Sequence, residues 1–223
     1  MKFVQFGDAH LDAVFERLPT VKASERRLAC RRLLFDAVAS AKHEDAELIL
    51  CTGDLFDSTA PYADTLSAAS EAFAGTELPV FIVPGNHDRF ESLSPYNAVK
   101  WSENVHIFTS PLPQSIILDK LGVRITGVAA VSGDFPLRPL RGHYAPDDGL
   151  VNLLLMHGDV GISDEEVASA GYDYLAIGHI HTFESHLAGK TLVVRNGSLE
   201  AHGFDEPGEK GVVLAEVSGK KVS

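Results

Sequence analysis

Five short apolar runs in this chain each lead directly into a motif of polar residues, and this arrangement constrains the fold more than any other feature. Each run has four residues and is rich in branched or aromatic side chains, as is typical of a short buried strand. The runs are residues 3–6, 48–51, 80–83, 153–156 and 174–177. We therefore expect the polar motifs at the carboxyl ends of strands, the edge where α/β sheets form ligand crevices.

The motifs that follow these runs combine aspartate, asparagine and histidine. They are Asp8-Ala9-His10, Gly53-Asp54, Gly85-Asn86-His87-Asp88, His157-Gly158-Asp159 and Gly178-His179-Ile180-His181. Carboxylate, amide and neutral imidazole groups without thiolate suit Mn, Fe or Zn better than the all-oxygen cages of Mg or Ca. The candidate metal ligands are Asp8, His10, Asp54, Asn86, His157, His179 and His181.

This set of ligands suits the hydrolysis of phosphate esters. Two dications about 3.5–4 Å apart clamp the attacking and leaving oxygens and generate hydroxide at neutral pH. Such a pair needs one carboxylate that touches both ions, with further oxygen and imidazole ligands on each side. We therefore predict two divalent metal ions, with Mn preferred and Fe or Zn as alternatives, and a phosphodiester substrate attacked by a bridging hydroxide.

Composition indicates one compact domain outside the membrane. The chain has 223 residues, of which 45% are hydrophobic, so it can bury a sizeable core. No apolar stretch approaches the ~18 residues needed to cross a bilayer, and Asp8 and His10 interrupt the N-terminal apolar run too early for a signal peptide. Cys30 and Cys51 are interpreted as small buried hydrophobes of a reducing compartment. We expect a cytoplasmic protein without membrane association.

The formal net charge of −12, with a pI near 5.2, disfavours tight nucleic-acid binding. Proteins that hold DNA usually present a basic stripe that displaces counterions from the phosphates, and no such stripe is visible here. Part of the acidity belongs to the predicted metal site, where bound dications would offset it. The charge therefore lowers the expectation of a nucleic-acid binder without excluding a nuclease.

The spacing of apolar residues predicts how the strands are connected. Helical patterns over residues 25–42 and 62–73 separate the first three strands, which gives a parallel β-α-β-α-β start. Residues 115–118 and 123–128 indicate a hairpin, and Ser163 with Glu166 has the spacing of a helix capping box. Further strands are predicted over residues 191–194 and 211–217. A mixed pair of sheets flanked by helices fits this order.

The motif order D-x-H, GD, GNHD, H and GHxH, from Asp8 to His181, resembles that of the calcineurin-like metallophosphoesterases. The resemblance implies an α/β fold, a four-layer α-β-β-α sandwich of two mixed sheets. It implies that Asp54 bridges two metals, that His87 is the catalytic histidine that protonates or stabilises the leaving oxygen, and that Asp88 orients it. The implied ligands of one metal are Asp8, His10 and His181, and those of the other are Asn86, His157 and His179.

Within that superfamily the sequence is most similar to the SbcD-type DNA repair exonucleases. The similar stretches are residues 8–12, 53–57, 174–181, 197–200 and 210–211. This resemblance implies DNA as a substrate and a separate ATPase as a partner. Those nucleases usually have a capping segment, and many carry a histidine where this chain has Asp57. We expect residues 1–223 to form a single domain without a capping domain. The alternatives are a phosphatase, a small-molecule or cyclic-nucleotide phosphodiesterase, and a non-catalytic binding scaffold.

Two longer segments each allow two interpretations from the sequence. Residues 132–149, with Arg138, Arg141 and His143, form either a substrate-contacting lid or a solvated loop. Residues 196–210 either line the site through Ser198 or His202 or form a simple return loop. Asp159 is expected to cap or turn the chain. The histidines outside the motifs are expected at the surface or in packing roles: His43, His106, His143, His186 and His202.

Overall fold

The computed structural model describes residues 1–131, 140–158, 162–203 and 206–223. Within these residues the chain forms two mixed β-sheets of six strands each, flanked by helices. The helices are α1 (Thr20–His43), α2 (Ala63–Ala74), α3 (Pro95–Ala98) and α4 (Asp164–Ala170). The strands are β1 (Lys2–Phe6), β2 (Leu48–Cys51), β3 (Val80–Ile82), β4 (Val105–Ile107), β5 (Gln114–Leu118), β6 (Val123–Val128), β7 (Val151–His157), β8 (Tyr174–Gly178), β9 (Phe183–Ala188), β10 (Thr191–Asn196), β11 (Val213–Ser218) and β12 (Lys221–Val222).

The two sheets share a pattern of parallel central strands and antiparallel edges. The first sheet has the order β12-β11-β1-β2-β3-β4, and the second has the order β5-β6-β7-β8-β10-β9. Strands β1, β2, β3 and β4 pair in parallel, which confirms the predicted parallel start, while β11 returns antiparallel to β1. The predicted β5–β6 hairpin is present as an antiparallel pair.

Three apolar clusters define the four layers of the fold. The central cluster lies between the sheets and includes Phe3, Leu50 and Leu155. A second cluster packs α1 and α2 on the outer face of the first sheet, and a third packs α4 on the outer face of the second. Both faces of the central strands are buried, and this explains why they appear as continuous apolar runs instead of alternating patterns.

The predicted elements differ from the structure mainly at exposed positions. Helix α1 begins at Thr20, five residues before the predicted start at Glu25. Strand β9 was not predicted, because it is an edge strand with five largely exposed or half-exposed residues and no apolar run. By contrast, the capping box is confirmed, since Ser163 and Glu166 exchange both hydrogen bonds. Cys30 and Cys51 are buried and unpaired, as predicted.

None of the helices in the described part of the chain has the length and apolar character needed to cross a bilayer.

Candidate metal centre

The predicted ligands converge at one edge of the sandwich, where strands of both sheets end. Asp8, Asp54 and Asn86 follow β1, β2 and β3 of the first sheet. His157 is the last residue of β7, and His179 and His181 follow β8 of the second sheet. Each sheet therefore supplies about half of the site.

One group of ligand atoms joins Asp8, His10 and His181, whose ligand atoms lie within 4.8 Å of one another. The Nε2 atoms of His10 and His181 are 3.1 Å apart, and His181 Nε2 is 3.6 Å from Asp8 Oδ1. Asp8 is fully buried, and Asn196 from the end of β10 donates a hydrogen bond of 3.3 Å to its Oδ2. One carboxylate and two imidazoles thus point at a common position.

A second group joins Asp54, His157 and His179 under the same 4.8 Å limit. His157 Nε2 lies 3.1 Å from Asp54 Oδ2 and 3.1 Å from Asn86 Oδ1. Asp54 Oδ2 is also 3.7 Å from His10 Nε2, so its carboxylate lies between the two groups. Carboxylate, amide and imidazole donors arranged around two adjacent positions fit a pair of divalent cations.

Several of these residues have a backbone conformation that L-amino acids rarely adopt. The non-glycine residues with positive φ in the described chain include Asp8 (50°), His10 (40°), Asp54 (47°) and His179 (91°). Such conformations cost free energy and concentrate at functional sites. The glycine before the third motif is also constrained, because a Cβ at Gly85 would lie 2.2 Å from Asp54 Oδ1. The chain therefore turns sharply after β1, β2 and β8, where these side chains enter the centre.

The far nitrogens of three histidines are fixed by hydrogen-bond partners. His10 Nδ1 lies 3.0 Å from Asp57 Oδ1, His181 Nδ1 lies 2.8 Å from Glu206 Oε1, and His157 Nδ1 lies 2.7 Å from the Thr52 carbonyl oxygen. Such partners fix the tautomer and orientation of metal-binding histidines, and a carboxylate makes the imidazole a better ligand. In all three rings Nε2 is left facing the centre. The role of Glu206 was not predicted from the sequence, because its partner His181 is 25 positions away in the chain.

Replacing Glu206 by glutamine should weaken metal binding at the His181 side about 10- to 100-fold, the usual cost of losing such an outer partner. The amide keeps the shape of the side chain and can still accept a hydrogen bond from His181 Nδ1, but it lacks the negative charge that makes the imidazole a better ligand. Metal content after desalting, measured by mass spectrometry, is the readout. Glu209→Gln, at an exposed neighbouring position, is the control and should retain its metal. Equal metal content in both variants would contradict the assignment.

His87 stands at the mouth of this centre. Its ring centroid is 4.7 Å from that of His10, and it forms a group with His10 and Asp54 in which the ligand atoms also lie within 4.8 Å. His87 Nδ1 donates a hydrogen bond of 2.9 Å to the Asp57 carbonyl oxygen. Nε2 is therefore the nitrogen available to a bound molecule, and the side chain is 42% exposed.

The expected contact between Asp88 and the His87 ring is not formed, and the prediction that Asp88 orients the ring is wrong. The Asp88 carboxylate is fully buried and accepts hydrogen bonds from Gly85 N (2.7 Å), Phe56 N (3.1 Å) and the Tyr96 hydroxyl (2.6 Å). Burial, reinforced by Asp54, raises the pKa of Asp88 to about 6. Asp88 therefore holds the loops after β2 and β3 together, while the Asp57 backbone orients His87.

The charges within the centre are strongly coupled. Burial raises the pKa of Asp8, and the charge of Asp54 raises it further. Burial also opposes ionisation of Asp54, but the His157 and His10 imidazoles act together against it and the pKa of Asp54 is lowered. Burial in turn opposes protonation of His157, yet Asp54 and Asp8 act together against it and raise the pKa of His157 to about 9. Because ligation needs ionised carboxylates and neutral imidazoles, metal binding here would release protons.

The loop after β10 brings a further histidine to the centre. The His202 ring centroid lies 5.2 Å from that of His10 and 6.1 Å from that of His181. Neither of its ring nitrogens has a hydrogen-bond partner in the described structure, and burial lowers the pKa of His202 to about 4. Of the two residues proposed to line the site from this segment, His202 does so, whereas Ser198 is fully buried.

The segment predicted as a lid lies partly outside the described residues, which do not include 132–139 and therefore Arg138. Asp159, predicted to cap or turn the chain, also lies outside the described residues. Arg141 and His143 are absent from the described residues that line the cavity at the centre. The lid therefore stays a prediction. The other histidines outside the motifs are exposed or half-buried, as expected: His43, His106, His143 and His186.

Comparison with known proteins agrees with this geometry. The family model described as calcineurin-like phosphoesterase matches residues 1–183. The chain belongs to this family. The described residues also contain the groups of candidate ligands for divalent metals that this family name leads one to expect.

Similar proteins within and around the family support the same fold. An uncharacterised metallophosphoesterase, YhaO of Bacillus subtilis, is 28% identical over 247 residues, covering 100% of this chain and 59% of the relative. The chain thus spans less than two thirds of that relative's length. A dimetal phosphatase from Danio rerio (12% identity, 96% and 92% of the two chains) has a TM-score of 0.56. An archaeal phosphodiesterase (15% identity, 100% and 98%) has a TM-score of 0.50.

Proposed function

We propose that this chain is a metal-dependent phosphodiesterase that uses two divalent cations, with Mn as the preferred metal. The observation that carries the proposal is the position of His87, which has its Nδ1 anchored and its Nε2 open beside both ligand groups. A binding scaffold on the same fold has no need of a half-exposed, oriented imidazole at this position. The convergence of the predicted ligands at one edge of the sandwich also supports a metal-dependent enzyme.

The residues divide the chemistry between them. Asp8, His10 and His181 would hold one cation, and Asn86, His157 and His179 the other, with Asp54 shared. When bound, such a pair supplies Lewis acidity and activates water at neutral pH. His87, held by the Asp57 carbonyl oxygen, donates a proton through Nε2 to the departing ester oxygen. Asp57 and Glu206 keep His10 and His181 in the tautomer that presents Nε2.

DNA is the second candidate substrate. Similarity of the motifs to those of the SbcD-type exonucleases favours DNA as the substrate, and it includes Gly197-Ser198-Leu199-Glu200. The formal net charge of −12 opposes it, because polyanion binding depends on cationic contacts to phosphates. Phosphodiester chemistry is common to both substrates, and only the group carried by the phosphate differs.

The test uses purified, manganese-loaded protein with end-labelled single- and double-stranded DNA, and bis(p-nitrophenyl) phosphate in parallel. We expect release of p-nitrophenolate that disappears after treatment with a chelator and returns when manganese is added. Degraded DNA would establish a nuclease, whereas intact DNA beside a cleaved diester would point to small phosphoesters. A metal-loaded protein that cleaves none of these substrates would refute a phosphodiesterase.

A further inference from the structure

A cavity of about 840 Å³ opens directly from the candidate metal centre. Its polar lining includes His10, Asp54, His87, His179 and His181. A second part of its lining is apolar and comes from the loop between β1 and α1. We call this second part the apolar shelf, and it consists of Ala13, Val14, Phe15 and Leu18. Cavities of this size and character bind small organic ligands.

Two apolar side chains of the apolar shelf are largely exposed to solvent. Val14 is 67% exposed and Leu18 is 40% exposed, and both line the same cavity as the polar centre. Exposed apolar surface beside a catalytic site commonly marks a ligand surface. Phe15 is the fixed part of the shelf, because its ring stacks on His202 at 5.8 Å and an interplanar angle of 12°.

The charges around the shelf limit what can bind there. Arg26 lies 5.7 Å from the centre of the Phe15 ring but is already paired with Glu200. Arg17 is exposed and lines the same cavity, and it forms no ion pair within the described parts of the chain. Among the described residues that line the cavity, a single available cation beside an apolar wall does not resemble the row of phosphate contacts that a duplex requires.

We propose that the apolar shelf binds a flat apolar group attached to the phosphate, so that the substrates are small organic phosphodiesters with an aryl or similar substituent. This inference rests on the proposed phosphodiesterase function. The phosphate would lie between the two ligand groups and His87, and the substituent that stays on the phosphorus would lie against Val14, Phe15 and Leu18. Specificity then comes from apolar contact with the loop after β1 instead of from cationic contacts along a polymer.

The experiment compares two diesters with the same leaving group, phenyl p-nitrophenyl phosphate and methyl p-nitrophenyl phosphate, on the manganese-loaded full chain. We expect a KM about tenfold lower for the phenyl ester, in line with the discrimination that apolar pockets achieve. The double variant Val14→Ser/Leu18→Ser should raise KM for the phenyl ester about tenfold and leave kcat and the methyl ester unchanged. Both substituted positions are exposed, so folding should not be affected.

The matched control is Val21→Ser/Leu28→Ser, at positions 69% and 49% exposed that do not line the cavity. It should behave like the wild type. Equal KM values for the two esters in the wild type, or an equal rise for both in the shelf variant, would overturn the proposal. If neither ester is cleaved, the phosphodiesterase function fails. Calorimetric titration with diphenyl and dimethyl phosphate then tests the apolar shelf separately. Tighter binding of the diphenyl compound would support the shelf, and equal binding of the two compounds would overturn it.

Discussion

Replacing His87 by alanine is expected to lower kcat for a phosphodiester by about 10²- to 10⁴-fold, the usual contribution of a positioned acid or base. The imidazole is anchored at Nδ1 by the Asp57 carbonyl oxygen, so that Nε2 can deliver a proton to the leaving oxygen. The loss should be larger for alkyl leaving groups than for p-nitrophenolate, because a poorer leaving group depends more on protonation. Steady-state kinetics with both types of ester measure the effect.

Metal content separates this role from metal binding. We expect His87→Ala to retain as much metal as the wild type, because the two ligand groups are complete without it. The control is His43→Ala, at an exposed position at the end of α1, which should leave kcat unchanged. Undiminished turnover in His87→Ala, or an equal loss for good and poor leaving groups, would refute the role of His87 as proton donor.

Replacing Asp54 by asparagine should weaken metal binding by more than about 100-fold, above the loss caused by removing an outer partner, and should abolish turnover. Asp54 Oδ2 lies 3.1 Å from His157 Nε2 and 3.7 Å from His10 Nε2, so one carboxylate serves both groups. Asparagine retains an oxygen that can accept the hydrogen bond from His87 N (2.9 Å) but removes the negative charge. Metal per chain after desalting and residual activity are the measurements.

Asp36→Asn, at an exposed site on α1, removes the same charge far from the centre and should retain full metal content. Circular dichroism of Asp54→Asn before and after addition of manganese excludes loss of folding as the cause. An Asp54→Asn protein that keeps its full complement of metal would show that this carboxylate is not shared.

The strand ends could be predicted from the sequence because each is encoded locally. Asp8, Asp54 and Asn86 each follow a buried apolar run, and one to three residues separate each of them from the end of its strand. The parallel order of the first strands followed from the helical patterns between them. Contacts that join distant segments carried no such signal. Glu206 reaches His181 across 25 positions, and Asp57 reaches His10 across 47.

Asp88 illustrates why a motif does not determine the direction of every side chain. It is adjacent to His87 in the chain, and the resemblance to the metallophosphoesterases predicted that it would orient that ring. In the structure its carboxylate points into the protein and accepts three hydrogen bonds from the loops and Tyr96. The backbone conformation of the turn decides which neighbour faces inward, and this conformation depends on tertiary contacts.

The division of the ligands between the two sheets also has a thermodynamic consequence. Cations held at this edge would contact Asp8 and Asp54 from the first sheet and His157 and His181 from the second. Separation of the sheets would then require release of the metal, so that folding and metal binding become linked equilibria. A ligand at 100 times its dissociation constant adds about 2.7 kcal/mol to the free energy of unfolding. Metal supply would therefore change the fraction of the protein that is folded as well as its chemistry.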